Sequence, residues 1–453
     1  MSTVSSHPML SDQRFDVVVI GGGPAGGVVA AHAARCGASV LIVEAGPELT
    51  TRTPWFSHDA MLRGLAGGGV IPAGRDNPLA VGLPRVLGGG FAVNSGLYRW
   101  PSEERLGEWS RLGVDLAALD AARSSVEGRL ALAHGPDRST NATALTSAAA
   151  SLGLPMHTVD TWATARFDPR GPFISDAVAL GAELVCGVEV DRITISADDT
   201  VVHLRNGLGS VRTAKVMLAA GAIGSPELLV RSGMLDGGYA VSASPMLRSV
   251  LFPELVSVVD PGTAPVGRVQ VDHGGLVLSG CGTAEPWQLA ATHPHLLDDF
   301  NAAIAAGAHP LVWYTQFTAS GVLHRTPRST RLRFDRHAHA QVLRDALSAH
   351  RELTSASGLR SVLALTGRPR PLTHAPDTDF LVARARLSAV HLGSSVPAGV
   401  RVSPSNGELE GFEQVYVVDS SALPSLPGVN PQASVMAFAQ MCATEIFDAV
   451  RFS

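Results

Sequence analysis

The sequence predicts an α/β fold, in which a Rossmann-like domain carries an inserted second domain of mainly antiparallel strands backed by helices. Three observations predict it. A strand, a glycine-rich turn, a helix and a second strand follow one another between Phe15 and Gly46, the order of a parallel βαβ unit. Short strand-like runs dominate residues 236–384, whereas residues 385–453 return to a buried strand and a long apolar helix. We therefore assign residues 12–235 and 385–453 to a discontinuous first domain and residues 236–384 to the second.

The N-terminal unit has the pattern of a dinucleotide site. The apolar run Val17–Ile20 leads directly into Gly21-x-Gly23-x-x-Gly26, and the next apolar run ends on Glu44. The first glycine permits the tight turn, the second lets a pyrophosphate approach the backbone, and the third lets helix and strand pack closely. The helix N-terminus offers free N–H groups to phosphates, and an acid at the position of Glu44 binds ribose hydroxyls.

A second glycine-rich segment, RVLGGGFAVNSGLYRWP, runs from Arg85 to Pro101. Its three consecutive glycines, Gly88–Gly90, favour close backbone approach or positive φ angles, and Asn94 adds a side-chain amide. Taken alone, the segment suits a structural turn as well as a ligand site.

Strand signals resume after Glu183. Asn206-Gly207 stands between two apolar runs and predicts a hairpin. The segment GAIGSPELLVRSG, residues 221–233, predicts a short helix that begins after Ser225-Pro226, because serine is a good N-cap and proline a good first helical residue.

Two later segments complete the organisation of the chain. In the second domain, the strand Leu311–Phe317 carries Tyr314 and Gln316, which suit either a substrate pocket or core packing. Near the C-terminus, a buried strand ends on Asp419, and Pro431 opens an apolar helix.

The composition excludes several classes of function. A net charge of −5 gives no reason to expect nucleic-acid binding. The four cysteines form no CxxC pair, which argues against a disulfide framework and favours a reducing, cytoplasmic setting. His293-x-His295 and His337-x-His339 lack acid or cysteine partners at metal-site spacing, so we expect no metal. No apolar run reaches the roughly 18 residues that a transmembrane helix needs, so we expect a soluble protein.

Together with the fingerprint, four segments resemble the glucose–methanol–choline (GMC) family of FAD-dependent oxidoreductases. They occur in the family's order, and the resemblance spans residues 15–439 except for the second domain. These segments are RVLGGGFAVN, GAIGSPELLVRSG, HLGSSVPAG and VVDSSALPSLPGVNPQASVMAFA.

The resemblance implies a role for individual residues. It places the catalytic pair, His391 and Asn430, beside the flavin ring, with Pro431 at the adjacent helix start. It assigns the pyrophosphate to the first glycine loop, the adenosine ribose to Glu44, the adenine to the backbone of Val190, and the ribityl or pyrophosphate region to Asp419. The implied cofactor-binding residues are Gly21, Gly23, Ala25, Gly26, Glu44, Arg85, Gly88, Gly89, Gly90, Asn94, Val190, Asp419, Asn430 and Pro431.

The chain departs from the family pattern at several positions. Phe91 stands where the signature favours a small residue, Ser394 replaces a usual glycine, and Ala398 replaces a usual methionine. Val93 occupies the position at which some members carry a flavin-linked histidine, so we expect noncovalent FAD. The chain is also short for the family, which implies a trimmed substrate domain.

The implied reaction is oxidation of a CH–OH group of a small-molecule alcohol to a carbonyl, with hydride transfer to flavin N5. His391 suits the general base, because the ordinary pKa of imidazole lies near working pH, whereas Asn430 can bond the substrate oxygen but cannot take its proton. Oxygen, a quinone or another carrier would then remove the electrons. Two alternatives stay open: a lyase of the hydroxynitrile type that keeps FAD structurally, and an FAD-binding scaffold without turnover.

Overall fold

The fold is described from a computed structural model. It describes residues 13–49, 58–69, 71–73, 79–162, 168, 170–196, 199–252, 267–274, 277–282, 297–305, 310–326, 329–365, 378–448 and 450.

The strands of the described residues are β1 (Arg14–Ile20), β2 (Val40–Glu44), β3 (Ile71–Ala73), β4 (Leu79–Val81), β5 (Leu97–Tyr98), β6 (Met156–Thr158), β7 (Asp160–Thr161), β8 (Glu183–Cys186), β9 (Val190–Ile195), β10 (Thr200–Leu204), β11 (Ser210–Leu218), β12 (Tyr239–Ala243), β13 (Met246–Phe252), β14 (Val269–Asp272), β15 (Val277–Gly282), β16 (Leu311–Phe317), β17 (Ala319–Thr326), β18 (Ser329–Phe334), β19 (Arg360–Leu363), β20 (Leu387–Ala389), β21 (Leu392–Gly393), β22 (Glu408–Leu409) and β23 (Phe412–Val417). The α-helices are α1 (Pro24–Arg35), α2 (His58–Gly64), α3 (Gly90–Val93), α4 (Glu103–Arg111), α5 (Leu116–Leu130), α6 (Thr140–Ser151), α7 (Pro172–Ala179), α8 (Gly221–Arg231), α9 (Leu297–Ala305), α10 (Ala340–Ala356), α11 (Thr378–Arg384) and α12 (Gln432–Phe447).

The first sheet is the Rossmann-like one. Its strands follow the order β22-β23-β11-β1-β2-β8, and the four central neighbours β23, β11, β1 and β2 run parallel, as does β8 beside β2. β9 and β10 extend β11 as an antiparallel meander. The carboxyl ends of the parallel strands therefore meet at one edge, where α/β proteins bind their ligands.

Helices cover this sheet and form the main core. α1 packs against α7 and α12, and α12 also packs against α5. The strand interiors Val18 and Ile42 are fully buried, as are Phe438 and Phe447 of α12. α12 is buried along nearly its whole length, because α1 and α5 pack against it.

The second sheet follows the order β3-β4-β20-β13-β16-β15-β14-β6, with β19 beside β13. All its described pairs are antiparallel except β4 with β20. A smaller sheet has the order β18-β17-β12-β21, and its strands alternate along the chain with those of the second sheet. Helix α10 packs on β16 of the second sheet. The predicted α/β fold with a mainly antiparallel second part is confirmed.

Strands from outside the predicted range 236–384 join the second sheet. β3, β4 and β6 come from earlier in the chain, and β20 comes from residues 387–389. The boundaries between the two domains stay a prediction.

Two local predictions have opposite outcomes. Asn206 and Gly207 adopt φ angles of 61° and 72° between β10 and β11, so the Asn-Gly hairpin is confirmed. The predicted helix start after Ser225-Pro226 is wrong, because α8 begins at Gly221 and Pro226 lies inside it. Pro226 has no N–H for the Ala222 carbonyl, and the Ser395 hydroxyl donates to that oxygen instead, at 2.7 Å.

None of the helices in the described part of the chain combines the length and the apolar character that a membrane span requires.

Candidate active site

A cavity of about 730 Å³ lies between the glycine loops of the first sheet and the strands of the second. Its volume falls in the range typical of small-molecule and cofactor sites. Almost all predicted site residues line it, and they are Gly21, Gly23, Ala25, Glu44, Arg85, Gly89, Gly90, Asn94, Val190, His391, Asp419, Asn430 and Pro431. Gly26 and Gly88 pack directly behind this wall.

The first glycine loop is shaped by close backbone approach. Gly21 has a φ of 107°, and a Cβ there would lie 2.3 Å from the carbonyl oxygen of Ala219. A Cβ on Gly26 would lie 1.9 Å from the Gly21 carbonyl oxygen. Gly23 precedes α1 without a side-chain cap, and Pro24 opens the helix. The free N–H groups of the first turn of α1 therefore face the cavity wall, where they favour an anion.

Glu44 is the last residue of β2, and its carboxylate holds the first glycine loop through hydrogen bonds. Its Oε2 accepts a hydrogen bond from the Gly22 N–H at 2.8 Å, and its Oε1 accepts one from the Gly46 N–H at 2.6 Å. Burial raises the pKa of Glu44, while these backbone donors oppose the shift. A carboxylate offers about four acceptor positions, so Glu44 can still bond ribose hydroxyls.

The second glycine loop packs against the first. The Gly88 N–H donates to the Gly22 carbonyl oxygen at 2.8 Å, and Gly89 has a φ of 50°. A Cβ on Gly89 would lie 2.8 Å from the Cα of Gly23. Asn94, at the end of α3, donates to Oε1 of Gln432 at the start of α12. One cavity wall is thus assembled from two glycine loops and the first turn of the last helix.

Phe91, one of the departures from the family pattern, points away from the cavity. Its ring is fully buried and stacks edge-on against Trp162, with ring centroids 4.7 Å apart. Gly171 makes room for it, because a Cβ there would lie 2.5 Å from the ring. Val93, in contrast, lines the cavity with an aliphatic side chain.

The far end of the first-sheet wall contains Val190, Arg85 and Glu189. Arg231 of α8 donates to the Val190 carbonyl oxygen at 3.1 Å, and Arg85 pairs with Glu189 at 3.3 Å while remaining half exposed. The backbone at Val190 is therefore held in place by a helix on one side.

Asp419 is buried and bonded within the protein. Its Oδ2 accepts from the Gly221 N–H at 2.7 Å and from the Ser225 hydroxyl, and its Oδ1 accepts from the N–H and hydroxyl of Ser421. Burial raises its pKa, and these donors oppose the shift. These four bonds account for the usual acceptor positions of a carboxylate. Its visible role is to join the start of α8 to the turn after β23, and Ser225 serves this junction and not an N-cap.

His391 lies on the link between β20 and β21, at the cavity wall. Its Nδ1 is buried without a hydrogen-bond partner in the described part of the chain. Burial, with a smaller contribution from the positive charge of Arg248, lowers the pKa of His391 to about 4. The imidazole is therefore neutral at pH 7 and can accept a proton.

Asn430 is oriented by a chain of side chains from the second sheet. Gln270 on β14 donates from Nε2 to Oδ1 of Asn430 at 2.8 Å and to the Tyr314 hydroxyl at 3.1 Å. Arg99 donates to Oε1 of Gln270 at 3.0 Å and pairs with Asp272 at 2.9 Å. Because Arg99 has no acceptor atom, the amide of Gln270 must present its NH₂ group to Asn430. Asn430 therefore keeps its own NH₂ group free to donate into the cavity.

The last helix begins at this point. α12 starts after Pro431 and has no side-chain cap, and Asn430, Pro431 and Gln432 all line the cavity. The N-terminal dipole of α12 is therefore directed at the cavity.

Sequence reasoning missed Gln270, Arg248 and Gln432, and it left Tyr314 undecided between pocket and core. No motif marks Gln270 or Arg248, because their place at the site depends on strand pairing. Tyr314 lines the cavity, whereas Gln316 donates to the Gly428 carbonyl oxygen at 3.1 Å.

The metal candidates add nothing to this site. His293 and His295 lie outside the described residues. Among those described, the one cluster with the geometry of a metal site is His32, Cys36 and Asp448, on the surface between α1 and α12. Asp448 accepts a 2.7 Å hydrogen bond there from His32, whose other ring nitrogen bonds the Gln440 amide at 2.8 Å. The absence of a metal stays a prediction.

Comparison with known proteins agrees with this geometry. An uncharacterized GMC-type oxidoreductase of Mycobacterium tuberculosis is 28% identical over 512 residues, which cover 98% of this chain and 78% of that protein. The pyridoxine 4-oxidase of Microbacterium luteolum is 26% identical over 275 residues, 52% of each chain. The structure of an FAD-dependent oxidoreductase from Chaetomium thermophilum has the same fold, with a TM-score of 0.72 and 16% identity over 97% of this chain and 100% of that chain.

Family models give the same assignment over most of the length. The two models for GMC oxidoreductase match residues 15–268 and 318–439, and the family and its FAD-dependent structural neighbour imply FAD as the cofactor. The chain belongs to the GMC oxidoreductase family.

Proposed function

We propose that the protein is an FAD-dependent oxidoreductase that oxidises a CH–OH group of a small-molecule alcohol to a carbonyl. The observation that carries the proposal is that His391 and Asn430 line the same cavity as the two glycine loops. The family and the similarity to a pyridoxine 4-oxidase support an oxidation of a small organic molecule.

The cavity fits FAD in its chemistry. Gly21, Gly23, Ala25 and Gly26 offer a backbone cradle at the start of α1 for the pyrophosphate, and Glu44 has acceptor capacity left for the ribose. The backbone beside Val190 would receive the adenine, with Arg85 nearby. Gly88, Gly89, Gly90 and Asn94 would lie along the flavin end, and Asp419 would support this region through the loops that it joins. Since Val93 is aliphatic, we propose that FAD is held without a covalent bond at that position.

When bound, FAD supplies an acceptor at N5 for the hydride of the substrate carbon, a reaction that no side chain can perform. His391 accepts the hydroxyl proton. It is neutral over the whole range above its lowered pKa, so no proton has to leave it before the substrate binds.

Asn430 acts as a donor to the substrate oxygen. Because Gln270 occupies its Oδ1, the free NH₂ group points towards the cavity and stabilises negative charge that develops on that oxygen. The N-terminus of α12 acts in the same sense and favours negative charge at the cavity wall by about 1 kcal/mol.

The experiment is anaerobic mixing of the FAD-loaded protein with a panel of alcohols while flavin absorbance is followed. The wild type should bleach with at least one alcohol, and His391→Ala should keep its FAD but bleach roughly 10²- to 10⁴-fold more slowly. His337→Ala, which removes an exposed histidine, serves as the matched control and should bleach at the wild-type rate.

Bleaching of His391→Ala at the wild-type rate would contradict the role of this residue. If the flavin stays oxidised with every alcohol while a cyanohydrin is cleaved, the protein is a lyase and the proposal is wrong. Where an alcohol does reduce the flavin, reoxidation with oxygen or a quinone identifies the electron acceptor.

A further inference from the structure

Arg248 is a partly buried arginine at the cavity, and no acid of the described residues forms an ion pair with it. It lies on β13, opposite Tyr314 of β16, and lines the cavity together with His391 and Asn430. Within the described residues its guanidinium makes one side-chain hydrogen bond, to the Met246 sulfur at 4.0 Å. Its Nε is buried without a hydrogen-bond partner in the same part of the chain.

Other arginines of the chain show how such a charge is usually accommodated. Arg336 is also buried, and it donates to the carbonyl oxygens of Val382 and Ala385 at 2.6 and 2.8 Å. Arg99 is paired with Asp272 at 2.9 Å. Among the described residues Arg248 has neither kind of acceptor, although a guanidinium with a buried, unpartnered Nε is costly and cannot shed its proton. An acceptor from outside the chain would remove this cost.

The acids that line the cavity lie on one of its two walls, whereas arginines lie on both. Among the described residues, four carboxylates line it, and each lies on a strand of the first sheet or on the segment that follows one: Glu44, Glu189, Glu227 and Asp419. The described lining from the second-sheet side includes Arg248 and Arg386 and no acid. The substrate end beside His391 is therefore positive, and this polarity selects an anion.

We propose that Arg248 binds a carboxylate of the substrate, so that the protein oxidises alcohols that carry a carboxylate group. A guanidinium matches a carboxylate with two parallel N–H donors, which fixes the orientation of the substrate as well as its affinity. This inference rests on the proposed function for the identity of the reacting group, but the binding of a carboxylate can be measured without turnover.

Arg248 and His391 line the same cavity and interact electrostatically. The positive charge of Arg248 contributes to the lowered pKa of His391. A bound carboxylate neutralises that charge and so makes His391 a stronger base when an anionic substrate is in place. Arg248 would then couple recognition of the anion to removal of the hydroxyl proton.

The test is a titration of the FAD-loaded protein with acetate and benzoate, and with acetamide and benzamide as neutral partners of similar shape. Binding is followed by the change in the flavin spectrum. In the wild type, at least one acid should bind tenfold or more tightly than its amide. In Arg248→Met the affinity for the acid should fall by about tenfold to a hundredfold, the range of a charge-assisted hydrogen bond. The affinity for the amide should stay the same. Arg248→Lys, which keeps the charge without the fork, should lose less.

Arg344→Met is the matched control, because Arg344 is an exposed arginine of α10 paired with Asp379. It should bind both acids as the wild type does. The inference is overturned if neither acid binds more tightly than its amide in the wild type, or if Arg248→Met and Arg248→Lys weaken acid and amide equally.

A second readout separates this inference from the proposed function. Benzyl alcohol and 4-(hydroxymethyl)benzoate are compared in anaerobic flavin reduction, and Arg248→Met should slow only the second. Equal slowing of both would mean that the charge acts on the flavin and would overturn the inference. Failure of all alcohols to reduce the flavin would refute the proposed function, whereas the acid-over-amide titration alone judges Arg248 as an anion site.

Discussion

Gln270 provides the sharpest test of how the site is assembled. Its side-chain amide is buried and donates to Asn430 at 2.8 Å while accepting from Arg99 at 3.0 Å. Gln270→Glu keeps the shape and the bond from Arg99 but removes the donor to Asn430. The Asn430 amide should then rotate and direct its NH₂ group to the new carboxylate. The carbonyl oxygen of Asn430 would then face the substrate oxygen and repel the negative charge that develops on it.

The magnitudes follow from the hydrogen bonds involved. In Gln270→Leu, Asn430 loses its guide, and its two amide orientations become similar in energy, so kcat should fall only about two- to tenfold. In Gln270→Glu, a charge-assisted bond worth about 1.5–3 kcal/mol favours the wrong orientation, which predicts a fall of about tenfold to a hundredfold. Complete loss of one donor to a developing oxyanion sets the upper bound, about 10²- to 10³-fold. The variant of more similar shape should therefore be the more damaged.

The assay is the limiting rate of anaerobic flavin reduction, measured for each variant alone and in an Asn430→Ala background. Once the amide of Asn430 is absent, the difference between Gln270→Glu and Gln270→Leu should shrink, because the two residues act as a unit. If Gln270→Leu is the slower variant, or if the difference persists undiminished without Asn430, orientation of the amide is not what Gln270 provides.

Two predictions concern stability. Burial lowers the pKa of His350, which lies between the Ser249 and Thr315 hydroxyls, to about 3, whereas a histidine in the unfolded chain titrates near 6.5. The free energy of unfolding should therefore fall as pH falls from about 6.5 towards 3, by about 2 kcal/mol between pH 7 and pH 5. Urea unfolding of His350→Gln should show a flatter pH dependence than the wild type, and an unchanged slope would contradict the assignment. Ser394 has a φ of 54° and a buried hydroxyl without a partner among the described residues, so Ser394→Gly should raise the free energy of unfolding by about 1 kcal/mol. The neighbouring Ser395→Ala should lower it by a similar amount, because the Ser395 hydroxyl donates to the Ala222 carbonyl oxygen. Changes of the same sign in the two variants would refute this reasoning.

The first glycine loop was predictable because its causes are local. Gly21 turns with a φ of 107°, and Gly26 packs on the Gly21 carbonyl oxygen, so both needs arise within the strand–turn–helix unit and the same pattern has the same meaning in any chain. The hairpin at Asn206-Gly207 is predictable for the same reason, since the residue types set the φ angles. Wherever the physical reason lies within a few residues, the sequence pattern is sufficient.

The start of α8 was mispredicted because its causes are distant in sequence. Ser225 and Pro226 have the local properties of a helix start. In the folded chain, however, the Ser225 hydroxyl bonds Asp419, and Ser395 compensates for the missing N–H of Pro226. Both partners lie more than 150 residues later, and no local rule contains them.

The residues that we propose for the substrate end of the cavity come from the second sheet, where no motif predicts them. Arg248 faces Tyr314 through the pairing of β13 with β16, and Gln270 reaches Tyr314 and Asn430 from β14. A slip of one residue in either strand would turn these side chains to the other face of the sheet. The proposed cofactor contacts therefore depend on short segments that tolerate little change, whereas the proposed substrate contacts depend on strand register. If these contacts are as proposed, substrate preference changes through single substitutions on β13, β14 and β16, while the glycine loops and α12 stay as they are.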